Sequence, residues 1–135
     1  MQPSTDELLF AATRALRQRF RAGLADIEIT PAQTRALRTI VGTPSLRLSG
    51  VASALGIAPR SATEVVDALE SRGWVRRAPD PDDRRAVVVL PTDAGRELAD
   101  RLAVVRRQVA DEMLADFSDS DRRQLDRLLA RLATS

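Results

Sequence analysis

Between Ser4 and Leu24 the apolar residues Leu8, Ala12, Leu16, Phe20 and Leu24 return at four-residue steps, which lines one face of a helix. Ser4-Thr5-Asp6-Glu7 supplies capping oxygens and early negative charge for its start. Thr30-Pro31-Ala32-Gln33 has the form of a capping box with proline at the first helical position, and opens a helix carrying Leu37, Ile40 and Val41. Thr43-Pro44 closes it. Val51, Ala52 and Leu55 then mark a short helix, and Gly56 supplies a turn. Pro59 suits the first turn of the next helix, where Ala62, Val65, Val66 and Leu69 form the inward stripe and Gly73 ends the run.

After Gly73 the period changes from helical to strand-like. Trp74-Val75-Arg76-Arg77 and Ala86-Val87-Val88-Val89-Leu90 predict two strands of a hairpin. The connection Ala78–Arg85 holds two prolines and three aspartates, which predicts a loop. A long helix is predicted from Asp93 to about Asp116, with Leu98, Leu102, Val105, Val109 and Met113 or Leu114 on its buried side. Ser118 caps a last helix in which Leu125, Leu128, Leu129 and Leu132 repeat at helical spacing. No internal repeat, low-complexity stretch or interdomain linker interrupts the pattern.

The order helix, turn, helix, charged hairpin is that of a winged helix-turn-helix. The predicted fold is therefore mainly α with a small β-hairpin. The outer face of the second helix carries Arg60, Ser61, Thr63, Glu64 and Asp67, and the hairpin carries Arg84 and Arg85. Runs of charge are commonly only solvated surface. Here they lie on a candidate recognition helix and on the hairpin directly after it, so double-stranded DNA is the expected partner.

Composition narrows the alternatives. A chain of 135 residues fits one domain, here 1–135. All 21 basic residues are arginine, and the net charge is only +2, so any DNA affinity must come from where the arginines sit. There is no His, Cys or Tyr, which removes the usual nucleophile–base pairs, disulfides and thiolate metal sites; the expectation is no enzyme, no cofactor and no metal. Asp80, Asp82 and Asp83 lack the alternating ligands of a calcium loop. No long apolar run or signal pattern occurs, so a cytoplasmic protein without membrane attachment is expected. The rival reading is a winged-helix module that binds protein without DNA, against which arginines on both helix and hairpin argue.

Leu69-Glu70-Ser71-Arg72-Gly73-Trp74-Val75-Arg76-Arg77, then Asp80-Pro81-Asp82-Asp83-Arg84-Arg85, then Thr92-Asp93-Ala94-Gly95, resembles the multiple-antibiotic-resistance regulator (MarR) family. That family has L-E-x-x-G-x-V-x-R, an Asp-rich wing ending D-x-R, and T-x-x-G. Two departures stand out: Ala58 replaces the usual Ser or Thr helix cap, and Pro91, expected to end the hairpin one residue early, replaces an apolar strand residue. A lost cap side chain costs about 1 kcal/mol.

The resemblance implies a transcriptional repressor that binds an inverted-repeat operator as a homodimer. Residues about 30–92 would form the DNA-binding lobe, and about 4–24 with 93–134 the dimerisation lobe. It makes dimer contacts of the apolar residues Leu8, Leu9, Leu125, Leu128, Leu129 and Leu132, which would otherwise leave a stripe exposed. Two recognition helices would enter successive major grooves about 34–36 Å apart. Arg60 suits a guanine edge, Thr63 a thymine methyl and Glu64 a cytosine amine. Pro59 and Ser61 lie at the helix N-terminus, where amides and hydroxyl meet phosphate. By the resemblance Arg85 enters the minor groove braced by Asp83. Of the remaining wing residues, Arg84 suits a phosphate contact, and Arg77 is expected to tie the wing base through Asp80. A small-molecule effector is also implied, in a crevice to which Phe10, Arg14, Arg17, Phe20 and Leu37 are candidate contributors. Peroxide sensing through cysteine, known in one branch, is excluded.

Overall fold

The computed structural model describes residues 1–135. Its elements are α1 (Thr5–Gly23), α2 (Pro31–Gly42), β1 (Leu46–Arg47), α3 (Leu48–Leu55), α4 (Pro59–Ser71), β2 (Val75–Asp80), β3 (Asp83–Pro91), α5 (Asp93–Met113) and α6 (Asp119–Ala133). The chain divides into two compact units: Asp26–Val104, and Met1–Ala25 with Val105–Ser135. Helix α5 supplies residues to both.

Local chemistry accounts for the helix limits. Ser4, Thr30 and Ser118 each accept from the backbone N–H three residues on, and each is answered by a Glu, Gln or Asp side chain, giving three complete capping boxes. Helix α4 starts at Pro59 with Ala58 as an N-cap that makes no side-chain bond. Gly56 at φ 64° provides the left-handed turn between α3 and α4. Helix α5 ends at Met113, three residues short of the expected limit near Asp116.

Unit Asp26–Val104 is built around one core. Leu37 and Ile40 of α2, Val51 of α3, Ala62, Val66 and Leu69 of α4, and Val75 and Val89 of the sheet are almost fully buried. Each large aliphatic side chain removed from water contributes about 1.5–3 kcal/mol. This core holds α3 and α4 against the sheet, so the outer face of α4 is fixed by burial of its inner one.

The sheet differs from the expected hairpin in three ways. It has three antiparallel strands in the order β1-β3-β2, with Leu46 opposite Val89 and Arg47 opposite Val88. The two-residue β1 follows Ser45, which takes φ 54°. Second, the strands reach far into the predicted loop, leaving only Pro81 and Asp82 as the turn. Pairing runs from Val75 with Pro91 to Pro79 with Val87, then jumps to Asp80 with Asp83. Arg84, Arg85 and Ala86 therefore bulge out of the ladder. Third, β3 includes Pro91 instead of stopping before it. The Thr92 N–H donates to the Trp74 carbonyl at 3.1 Å, so by strand alternation position 91 faces away from β2, where β1 does not reach. No ladder bond is asked of the proline.

In the other unit, Leu24, Val105 and Val109 are buried, and a side chain at Gly23 would press on Val105. Helices α1 and α6 contain no buried residue at all. No helix is long and apolar enough to cross a membrane.

Candidate nucleic-acid interface

Helix α4 presents Pro59, Arg60, Ser61, Thr63, Glu64 and Asp67 as an exposed polar face. The Arg60 side chain is 93% exposed, and its Nε lies 4.0 Å from Glu64, a loose pair that leaves both groups available. Thr63 donates its hydroxyl to the Pro59 carbonyl at 3.1 Å, so what it has left to offer is its methyl group and an acceptor lone pair. Asp67 is already committed. It accepts from Arg77 Nη2 at 2.5 Å, while Glu70 accepts from Arg77 Nη1 at 2.5 Å and from the Arg77 backbone N–H at 3.0 Å. Burial lowers the affinity of the Arg77 guanidinium for its proton, and the Asp67 and Glu70 carboxylates outweigh this and raise its pKa above the ordinary value.

Arg77 thus ties the wing base to α4 and not to Asp80, which corrects the pairing expected from sequence. Asp80 is the buried charged residue of the fold, 8% exposed. Its Oδ1 accepts from the Asp82 backbone N–H at 2.9 Å and its Oδ2 from Arg47 Nε at 2.8 Å. The Asp82 amide first, and then Arg47, hold the carboxyl below the ordinary carboxylate range against the opposing effect of burial. The physical reason for the exchange of partners is reach: α4 lies under Arg77, whereas β1 brings Arg47 up to the turn.

Arg84 and Arg85 are exposed on the bulge. The Asp83 carboxylate accepts from the Arg85 backbone N–H at 3.0 Å. It therefore fixes the backbone from which Arg85 projects, an Asx-type turn, so the bracing acts on the main chain of Arg85.

Several residues of this arrangement carried no signal in the sequence reading. Arg47 lies outside every motif, and Glu70 was legible only as part of L-E-x-x-G. Arg72 donates to the Glu28 carbonyl at 2.7 Å and stacks over the Trp74 ring with its guanidinium carbon 4.2 Å from the centroid. Arg101 holds both oxygens of Asp26 at 2.7 Å.

Of the residues expected at a subunit interface, Leu8, Leu9, Leu128, Leu129 and Leu132 are between 45% and 56% exposed, and Leu125 is half-buried. Among the effector candidates, Phe10, Arg14 and Arg17 are exposed, Phe20 is half-buried, and Leu37 is sealed in the core of its unit. No group of three or more acidic side chains is arranged to hold a metal ion.

A model of the MarR family matches residues 29–87. The regulator PecS of Dickeya dadantii is 34% identical over 84 residues, which cover 62% of this chain and 51% of PecS, so the chain spans about half the length of that relative. The regulator MT0903.1 of Mycobacterium tuberculosis is 32% identical over 117 residues, covering 86% of this chain and 80% of that protein. The fold is shared with BpsR of Bordetella bronchiseptica, a protein whose DNA binding is regulated by 6-hydroxynicotinic acid: TM-score 0.80, 23% identity, 98% of this chain and 94% of that one.

Proposed function

The chain belongs to the MarR family of transcriptional regulators, and from that premise we propose that it represses transcription by binding an inverted-repeat DNA operator as a two-fold homodimer. The observation that carries the reading is the pairing of the exposed α4 face with the arginine-bearing bulge of the wing, both anchored to one core. Arg60 and Glu64 read base edges, Thr63 offers its methyl group, and Pro59 and Ser61 meet phosphate at the helix N-terminus. Arg84 meets phosphate and Arg85 enters the minor groove.

Two-fold symmetry is supported by the exposed leucines of α1 and α6, which a lone chain leaves in water. Residues about 30–92 act as the DNA-binding lobe, and about 4–24 with 93–134 as the dimerisation lobe, in the cytoplasm. A small molecule that weakens operator binding completes the proposal, supported by the ligand response of BpsR.

Selection of bound duplexes from a random library tests the reading, followed by sedimentation of the protein–DNA complex. The expected result is an inverted repeat with half-sites about 10 base pairs apart and two chains per duplex. Recovery of no shared sequence, or of a single half-site bound by one chain, overturns it.

A further inference from the structure

A buried carboxylate is costly unless it is paired and its lone pairs are used. Asp80 meets both conditions, and its two partners come from different parts of the chain: Asp82 within the wing turn, and Arg47 in β1, 33 residues earlier in the chain. Strand β2 is therefore fastened twice to the helix-turn-helix. Arg77 joins it to α4, and Asp80 joins it to the strand that leads directly into α3. The bulge that carries Arg84 and Arg85 has no such anchor of its own beyond the local turn made by Asp83.

We propose that Arg47 is a positioning residue for DNA binding: through Asp80 it holds the wing turn, so that Arg84 and Arg85 meet DNA in one pose. The inference rests on the operator-binding reading above. A bulged two-residue turn left unfastened would have to be ordered on contact with DNA, which opposes association. Fastening it beforehand moves that ordering into folding. Arg47 is itself half exposed, yet a direct phosphate contact is the poorer role for it. A phosphate that drew its guanidinium away would leave the Asp80 carboxylate buried without its cation.

A positioning residue acts through the groups it positions, so its effect must vanish when they are absent. Arg47→Gln is measured on the duplex selected by the parent chain, at fixed salt, alone and combined with Arg84→Ala/Arg85→Ala. Circular dichroism establishes that each variant is folded at the assay temperature. We expect Arg47→Gln to weaken binding about ten-fold in the parent and less than about two-fold in the chain without wing arginines, since coupled residues are non-additive. Arg47→Lys retains the charge and should recover part of the loss, which keeps the test open should the Gln variant unfold. Equal losses in both backgrounds make Arg47 an independent contact and overturn the proposal. So does an unchanged affinity in the parent background, or a wing-arginine variant that binds as the parent does. A parent chain that selects no duplex overturns the operator-binding reading itself, and this proposal with it.

Discussion

Gly95 lies so close to the carbonyl oxygen of Trp74 that a β-carbon at Gly95 would overlap it. The contact belongs to a small junction at the base of the wing. The Thr92 hydroxyl donates to the Gly73 carbonyl at 2.6 Å and accepts from the Gly95 N–H at 3.1 Å, so one side chain both ties the strand ends and caps α5. This is the physical content of the Thr92-Asp93-Ala94-Gly95 run: a hydroxyl to bridge and a residue with no side chain where backbone meets backbone. Gly95→Ala should destabilise the fold by about 3 kcal/mol, because neither partner in the clash is a flexible side chain. Gly42→Ala, which meets nothing within 4 Å, serves as the control and should be neutral or stabilising. Urea unfolding at fixed protein concentration compares them, and equal midpoints would refute the junction argument.

Arg60→Ala should cost about 1–3 kcal/mol on the selected operator and relax preference at one base pair per half-site. With its side chain 93% exposed, the substitution should leave thermal stability unchanged. Uniform weakening across unrelated sequences would instead make Arg60 a phosphate contact.

At the wing, a narrow minor groove concentrates negative potential, so Arg85→Ala should weaken binding more than about ten-fold and reduce preference for flanking A·T pairs. Asp83→Ala removes a negative charge near DNA, and bulk electrostatics alone would predict tighter binding. Because the Asp83 carboxylate fixes the Arg85 backbone N–H, weaker binding is expected, with Asp83→Asn close to the parent. Titration of one operator at one salt concentration decides between the two signs.

Leu129 and Leu132 are 47% and 56% exposed in the single chain, and in the proposed homodimer a second copy covers them. Leu129→Glu/Leu132→Glu should yield a helical monomer in analytical ultracentrifugation, with operator affinity lost by orders of magnitude as two-site binding disappears. A double variant that still sediments as a dimer and binds normally would place the interface elsewhere.

The pH response should be confined to acid. With no His or Cys, no side chain of ordinary pKa titrates between about pH 5 and 8, and operator affinity should be flat there. Asp26, held chiefly by Arg101, and Asp80, held chiefly by the Asp82 amide, are both lowered from the ordinary 3.8. A depressed folded-state pKa contributes stability that is full above 3.8 and is lost as pH falls through the lower folded values. Acid unfolding should therefore begin below about pH 4, and Asp26→Asn should flatten its slope. An unfolding transition centred above pH 5 would contradict this.

Much of the fold was legible because its signals are local. Capping boxes at Ser4, Thr30 and Ser118, the stripe Ala62-Val66-Leu69 and the Gly56 turn each act within one or two helical turns, so spacing along the chain is spacing in the structure. The exposed face of α4 followed directly from knowing its buried one. The hairpin was legible in kind but too short in extent, since two prolines and three aspartates read as loop, whereas register with β3 and the bulge accommodate most of them in strands.

What only the tertiary structure decided was partnership. A two-residue β1 has no period to detect, and it exists because β3 offers an edge to pair with. Arg77 and Asp80 lie three residues apart on one strand, yet each pairs with an opposite charge on another element: Asp67 and Glu70 on α4 for Arg77, Arg47 on β1 for Asp80. Ion pairing depends on separation and burial in space, and a separation of 33 residues along the chain leaves no trace of either in the sequence. Gly95 likewise could be recognised in its motif, while the Trp74 carbonyl that excludes any larger residue appears only once the end of α4, the wing and the start of α5 are folded onto one another.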